Sequence, residues 1–287
     1  MDAGTGLTVL GTVLGSKELV VKILGPTADY LGSGLRDWTE RKVSNVGRVF
    51  ESAHRRLGAK IDTPGTVPPK ILKGILEEGP FCDNELSAEY FGGVLAASRT
   101  SLGRDDRGAA ITALLGRLST YQIRSHYFFY NVIRTLFLGA SDRIGDATGR
   151  LRLTTFVPAE AYVLAMEFDK SESVGGILNH VMFGLVREAL IEDQFSFGPK
   201  ASLKGYPVAD SDGIVFVPSA LGVELFMWAH GMADQPLDNI LNPAVEFTSN
   251  VKLKSIGGFR STVYKERMCP RDDGAPIKPT EPTSAAE

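Results

Sequence analysis

Cysteine, histidine and tryptophan are scarce in this chain, with two, four and two residues among 287. Cys82 and Cys269 lie far apart, and neither belongs to a Cys-x-x-Cys or Cys/His ligand spacing, which excludes a zinc-ribbon type of site and a disulfide framework. No metal and no cofactor is expected. Excess charge is missing too: 31 Lys and Arg against 34 Asp and Glu leave a net charge of −3, so any contact with a phosphate backbone must be local. No run approaches the roughly 18 apolar residues that cross a bilayer. The opening MDAGTGLTVLGTVLG has Asp2 where a secretory leader has Lys or Arg, and four glycines interrupt it. A cytoplasmic protein is therefore expected. Only Leu7, Leu10, Val13 and Leu14 form a short apolar stripe that could touch a membrane surface, set against a frayed or core-docked terminus. The chain also lacks a Gly-x-Ser-x-Gly elbow, a P-loop, a GxGxxG opening a helix and an HExxH pair.

What is present is enough apolar material, 43% of the residues, to bury the core of one large or two ordinary domains. From Pro26 a long helix is expected, with Ala28, Leu31, Leu35 and Trp38, then Val43, Val46, Phe50, Ala53 and Leu57, forming a coiled-coil-like seam. That seam offers a route to a protein partner or a homo-oligomer. Pro68 and Pro69 open the next helix, with Ile71, Leu72, Ile75 and Leu76 inward. Asp83 or Asn84 caps a helix reaching Ser98, and Asp105 or Asp106 caps one carrying Ile111, Leu114 and Leu115. The tetrad Ser119 to Gln122 reads as a capping box for an aromatic-rich helix ending at Leu138.

The polar, glycine-rich stretch from Gly139 to Arg150 reads as a domain boundary. Beyond it, Arg150 to Val157 alternates like a strand, Pro158 opens a helix to Phe168, and Ser173 caps another that reaches about Ile191. Phe195 to Tyr206 and Gly213 to Val217 make a hairpin, and Ser219 to Ala229 a closing helix. Val245 to Phe247 and Val251 to Leu253 suggest a further strand pair. The fold expected is mostly α: an N-terminal helical bundle over 26–140, then a winged-helix-like α+β domain over 150–265 with a small hairpin. Residues 1–25 form an amino-terminal segment, and 266–287, rich in Pro, Asp, Thr and Ser, a disordered tail.

Three groups of side chains are candidates for chemistry or binding. Arg104, Asp105, Asp106 and Arg107 form the densest charge cluster, and Arg124 and His126 follow on an aromatic helix. They read as a helix cap and a core network, or else as a polar site in which the Asp pair holds a divalent cation or the arginines an anion. Arg48 and His54 fit a loose Arg-x(4–6)-His pattern in which both groups engage a scissile phosphate, although six residues along a helix leave them about 120° apart. Asn179, His180, Arg187, Lys200 and Lys204 are the nucleic-acid contacts that a winged helix would use. Glu188, Glu192 and Asp193 at the helix end, with Asp210 and Asp212 at the wing tip, oppose phosphate, so duplex reading is not favoured.

Read together, LGPTADYLGSGLRDWTERKVSNVGRVFE, GTVPPKILKGILEEGPFCDNELSAEYFGGVLAASRT and RDDRGAAITALLGRLSTYQIRSHYFFYNVI resemble the Abi-alpha family of bacterial proteins, and LVREALIED and GIVFVPSALGVELFMWAHG extend the likeness. The resemblance implies a role in abortive infection, a defence against phages, and assigns no catalytic residues. With no catalytic motif in the chain, the expectation is a non-enzymatic phage-defence protein that recognises a protein or ligand. A nuclease or hydrolase and a DNA-binding regulator are the alternatives.

Overall fold

Residues 17–24, 40–254 and 257–261 are described in this computed structural model. The apolar stripe at Leu7 to Leu14, the seam positions Ala28 to Trp38, Cys269 and the expected tail lie outside the described residues. Among the described residues the protein is mostly helical with one small antiparallel sheet. The helices are α1 (Lys17–Leu24), α2 (Glu40–Leu57), α3 (Pro69–Glu78), α4 (Glu85–Ala97), α5 (Arg107–Arg117), α6 (Thr120–Phe137), α7 (Ala147–Arg152), α8 (Ala159–Met166), α9 (Val174–Arg187) and α10 (Ala220–Ala229). The strands are β1 (Thr155–Pro158), β2 (Ser196–Gly198), β3 (Gly213–Phe216) and β4 (Arg260–Ser261), in the order β2-β3-β1-β4.

The chain divides into two compact units. Of the described residues, the first draws on 17–24, 40–123, 227–235 and 247–251, and the second on 124–226, 236–246, 252–254 and 257–261. The segment Gly139 to Arg150 falls inside the second.

In the first unit α2 packs chiefly on α4. Val43, Val46, Phe50, Ala53 and Leu57 are all buried, so the described part of the expected seam is spent on the unit's own core. Pro68 and Pro69 stand at the start of α3, where a missing N–H costs nothing, and Ile71, Leu72 and Ile75 point inward. Asn84 caps α4 through Oδ1, which accepts from the Ser87 N–H at 2.8 Å. The capping box is reciprocal: Ser119 Oγ accepts from the Gln122 N–H at 3.3 Å, and Gln122 Oε1 accepts from the Ser119 N–H at 2.8 Å. Arg99 ties the connections together by donating to the carbonyls of Lys22, Lys60, Ile61 and Thr63.

The core of the second unit is built on the aromatic run of α6. Phe129 stacks on Phe216 of β3 at 4.5 Å between centroids and lies 5.9 Å from Tyr162 of α8, while Phe128 meets Phe259 edge-on at 5.8 Å. In register, Thr155 to Pro158 of β1 face Phe216 to Gly213 of β3, and Ser196 to Gly198 of β2 face Val215 to Gly213.

Four expectations are corrected. Arg150 to Val157 is not one strand: Asp146 Oδ1 accepts from the Thr148 N–H and nucleates α7, leaving only Thr155 onward extended. The first hairpin arm does not run to Tyr206. It ends at Gly198, whose φ is 128°, because Pro199 has no N–H to give the ladder; a 3₁₀ turn at Lys200–Leu203 follows, pinned by buried Leu203 against Phe156 and Val215. The α9 helix stops at Arg187, before a left-handed Ala189 with φ of 54°, and Ser173 makes no side-chain cap. Val245 to Phe247 and Val251 to Leu253 form no strands; the strand that completes the sheet is β4, on the far side of β1.

Candidate functional site

Within the first unit, the Arg104 to Arg107 segment is a helix-start cluster. Asp105 Oδ1 accepts from both the backbone N–H and Nε of Arg107, at 3.1 and 2.9 Å, and Arg107 Nη2 reaches Asp105 Oδ2 at 2.6 Å and Asp234 at 3.1 Å. The Arg107 guanidinium also lies over the ring of Trp228, 5.8 Å from its centroid. The hydrogen bond from Arg107 holds the Asp105 carboxyl below its ordinary value. Asp106 receives Lys70 Nζ at 3.4 Å, and Arg104 is exposed. Asp105 thus serves the helix start, Asp106 pairs with Lys70, and Arg107 is the tether to Asp234.

The basic face of α2 is also largely committed. Arg48 donates to Asn45 Oδ1 at 2.6 Å and to the Cys82 carbonyl at 2.9 Å, while Asn45 donates to the Pro80 carbonyl at 2.9 Å, so this pair anchors the turn after α3. Arg55 and Arg56 both clamp the buried Glu89 carboxylate. His54 is exposed, and Arg48 is not turned toward solvent with it.

In the second unit, Arg124 donates to the Ala165 carbonyl at 2.8 Å and pairs with Glu167, which Lys254 also meets at 2.8 Å. These two cations, Lys254 first, lower the Glu167 carboxyl's pKa. His126 is fully buried, its Nε2 3.0 Å from the Gly222 carbonyl oxygen and its ring 4.5 Å from that of Tyr130. The Tyr130 hydroxyl donates to the Leu190 carbonyl at 2.6 Å and accepts from the Ser219 N–H at 3.1 Å. Burial pushes its phenol far above the ordinary range, which keeps it a neutral donor. Arg134 spends its guanidinium on the carbonyls of Ile240, Asn242 and Val245.

An open depression of about 320 Å³ is lined by Ser141, Asp142, Asp238, Asn239 and Asn242 among others. Its acids are engaged as well: Asp142 holds Arg152 at 2.5 Å, and Asp238 accepts from the Ile144 N–H at 2.7 Å. Among the described residues, no three His, Cys, Asp or Glu side chains gather as a metal-ligand set, and no helix is long and apolar enough to cross a membrane.

A different kind of site stands on α9 and β2. Phe183 is 60% exposed, although it follows the buried Val181 and Met182. Its ring meets Phe195 and Phe197 edge-on at 5.7 and 6.1 Å, and those two stack 6.1 Å apart. Asn179, His180 and Arg187, four and three residues before Phe183 and four after it, are exposed too, and Lys200 and Lys204 are exposed in the turn beyond β2. Four of the five carboxylates expected to oppose phosphate here have internal partners. Glu188 lies against Arg187 at 3.3 Å, Glu192 against Arg150 at 2.7 Å and Asp210 against Arg260, while Asp212 Oδ1 accepts from the Lys200 N–H at 2.9 Å. The aromatic cluster was not among the expected site residues. The signal was available: the helical period that turns Val181, Met182 and Leu185 inward sets Phe183 on the polar face with Asn179 and Arg187.

No family model, no curated protein and no solved structure matches this chain.

Proposed function

We propose that this chain is a non-enzymatic recognition protein of phage defence, working through a winged-helix-like module in its second unit. The defence role rests on the resemblance to Abi-alpha proteins in the phrases quoted above. The binding role is supported by one observation: Arg48, Asp105, Arg107, Arg124 and His126 are spent on internal contacts, whereas Phe183 is exposed against the partly buried Phe195 and Phe197, with Asn179, His180 and Arg187 exposed on the same helix. An exposed large ring beside polar groups is how binding surfaces are made. The winged-helix-like reading is supported by the order β1, α8, α9, β2, turn, β3, with β3 paired between β1 and β2.

Phage plating on a host expressing the protein tests the role. Reduced plating of at least one phage in a broad panel is expected, and unchanged plating across the panel counts against it. The hydrolase alternative has less support, since Arg48 is committed to the turn at Cys82 and the Asp105 carboxylate to Arg107. Purified protein with Mg²⁺ is expected to leave RNA and DNA intact.

A further inference from the structure

From exposed Phe183, the partly buried Phe195 and Phe197 that its ring meets, and the exposed cations of α9 and the turn after β2, we infer that the face formed by α9, β2 and the following turn binds single-stranded DNA, bases stacking on Phe183 first and on the accessible parts of Phe195 and Phe197, and phosphates meeting Arg187, Lys200 and Lys204. The inference rests on the binding role proposed above and names the partner of that same face.

None of the fourteen residues of α9 is Asp or Glu, so its exposed face carries Asn179, His180, Phe183 and Arg187 without a carboxylate among them. Where Arg187 and Glu188 pair, the cation is the outward partner: the Arg187 side chain is 65% exposed and that of Glu188 12%. Asp212 turns its carboxylate onto the Lys200 backbone N–H, and Glu192 and Asp210 are held by Arg150 and Arg260. The α9 side of the face is therefore aromatic and cationic, while Asp193, Asp210 and Asp212 are exposed acids beyond the helix, Asp210 paired with Arg260 and Asp212 accepting from the Lys200 N–H. The α9 side has the composition of a stacking platform for an unpaired strand.

Duplex reading fits it less well. A helix in the major groove needs donors and acceptors aimed at base edges, and the centre of this face is a hydrocarbon ring. A ring of that size gains most from a base whose own face is free, which a paired and stacked duplex does not offer. All three rings are phenylalanines, and phenylalanine makes apolar contact with the thymine methyl group, which uracil lacks. Thymine-rich DNA is accordingly the strand chosen over RNA.

Fluorescence anisotropy of the full chain with labelled oligo(dT) of about twenty nucleotides tests this, beside oligo(U) and a duplex of the same length. Binding to oligo(dT) is expected to exceed binding to the other two. Three phosphate contacts imply that raising salt from 50 to 200 mM weakens it by about twentyfold. Phe183→Ala, a change at an exposed position, is expected to weaken it by about tenfold with an unchanged melting temperature. Lys200→Glu weakens it, and Asp193→Asn tightens it. No binding to oligo(dT), preference for the duplex or for oligo(U), or equal affinity of Phe183→Ala and the parent protein would overturn the inference. So would a dimer, seen in sedimentation and lost in Phe183→Ala, in protein that ignores the oligomer. Plating tests the defence role separately, since the oligomer titration reads the surface whatever the phages do.

Discussion

Gly222 approaches Tyr130 so closely that a β-carbon on it would lie 1.9 Å from the phenolic oxygen and 2.3 Å from the Leu190 carbonyl oxygen. That oxygen is the junction of the second unit's polar core, holding Leu190 and Ser219 while His126 meets the Gly222 carbonyl. A glycine in the first turn of α10 is thus demanded by close approach, with no need for a left-handed backbone. Gly222→Ala should destabilise the protein by about 3 kcal/mol through overpacking. The cost should fall in a Tyr130→Phe background, because the first clash is with the hydroxyl. Urea midpoints of the two single variants and the double variant measure both effects.

Glu89 is a second internal junction. Its side chain is 4% exposed between Arg55 and Arg56, and that of Arg56 is 5% exposed. Glu89→Gln leaves the buried Arg56 guanidinium without its counter-charge and should cost about 3 kcal/mol. An unchanged urea midpoint would mean that the clamp contributes nothing to the first unit.

The helix-start cluster should reveal itself in acid. Arg107 depresses the Asp105 carboxyl in the folded protein, so the stability it contributes is present above the unfolded value near 3.9 and is lost as pH falls through the lower, folded value. The Arg107 side chain is 56% exposed, which limits the pair to within about 1 kcal/mol. Asp105→Asn should therefore lower the melting temperature slightly at pH 7, and the difference from the parent should shrink below about pH 3.9. A difference that grows in acid would contradict the assignment.

Cys82 is buried, and burial pushes its thiol up to about 12. Native protein at pH 8 should resist alkylation by iodoacetamide at this residue and react in urea, as peptide-resolved mass spectrometry would read. Rapid labelling of Cys82 in the native state would show that the turn at Pro80 opens.

Local chemistry was the legible part of this fold. The Ser119/Gln122 box, Pro68 and Pro69, and the Asn84 cap are decided within four residues, and each was readable. The errors come from contacts distant in sequence or from short elements. The two residues of β4 pair with β1 about a hundred positions earlier, and α7 has only six residues, whose Leu151 together with Leu153 just after the helix mimics the alternation of a strand. Of the candidate residues, charge density picked out Asp105 and Arg107, but charge alone does not tell a helix tie from a reactive pair; only their partners do. Phe183 escaped because an apolar residue in an apolar run reads as core until its phase on the helix is drawn.

On the proposed reading the ionic clusters hold the protein together and the Phe183 face binds the partner. Plating a phage panel on hosts expressing the parent protein, Phe183→Ala and Asp106→Asn tests it, with melting temperatures confirming that each variant folds. Restriction lost in Phe183→Ala and kept in Asp106→Asn is the predicted result. Restriction that survives Phe183→Ala, or disappears in a fully stable Asp106→Asn, would contradict it.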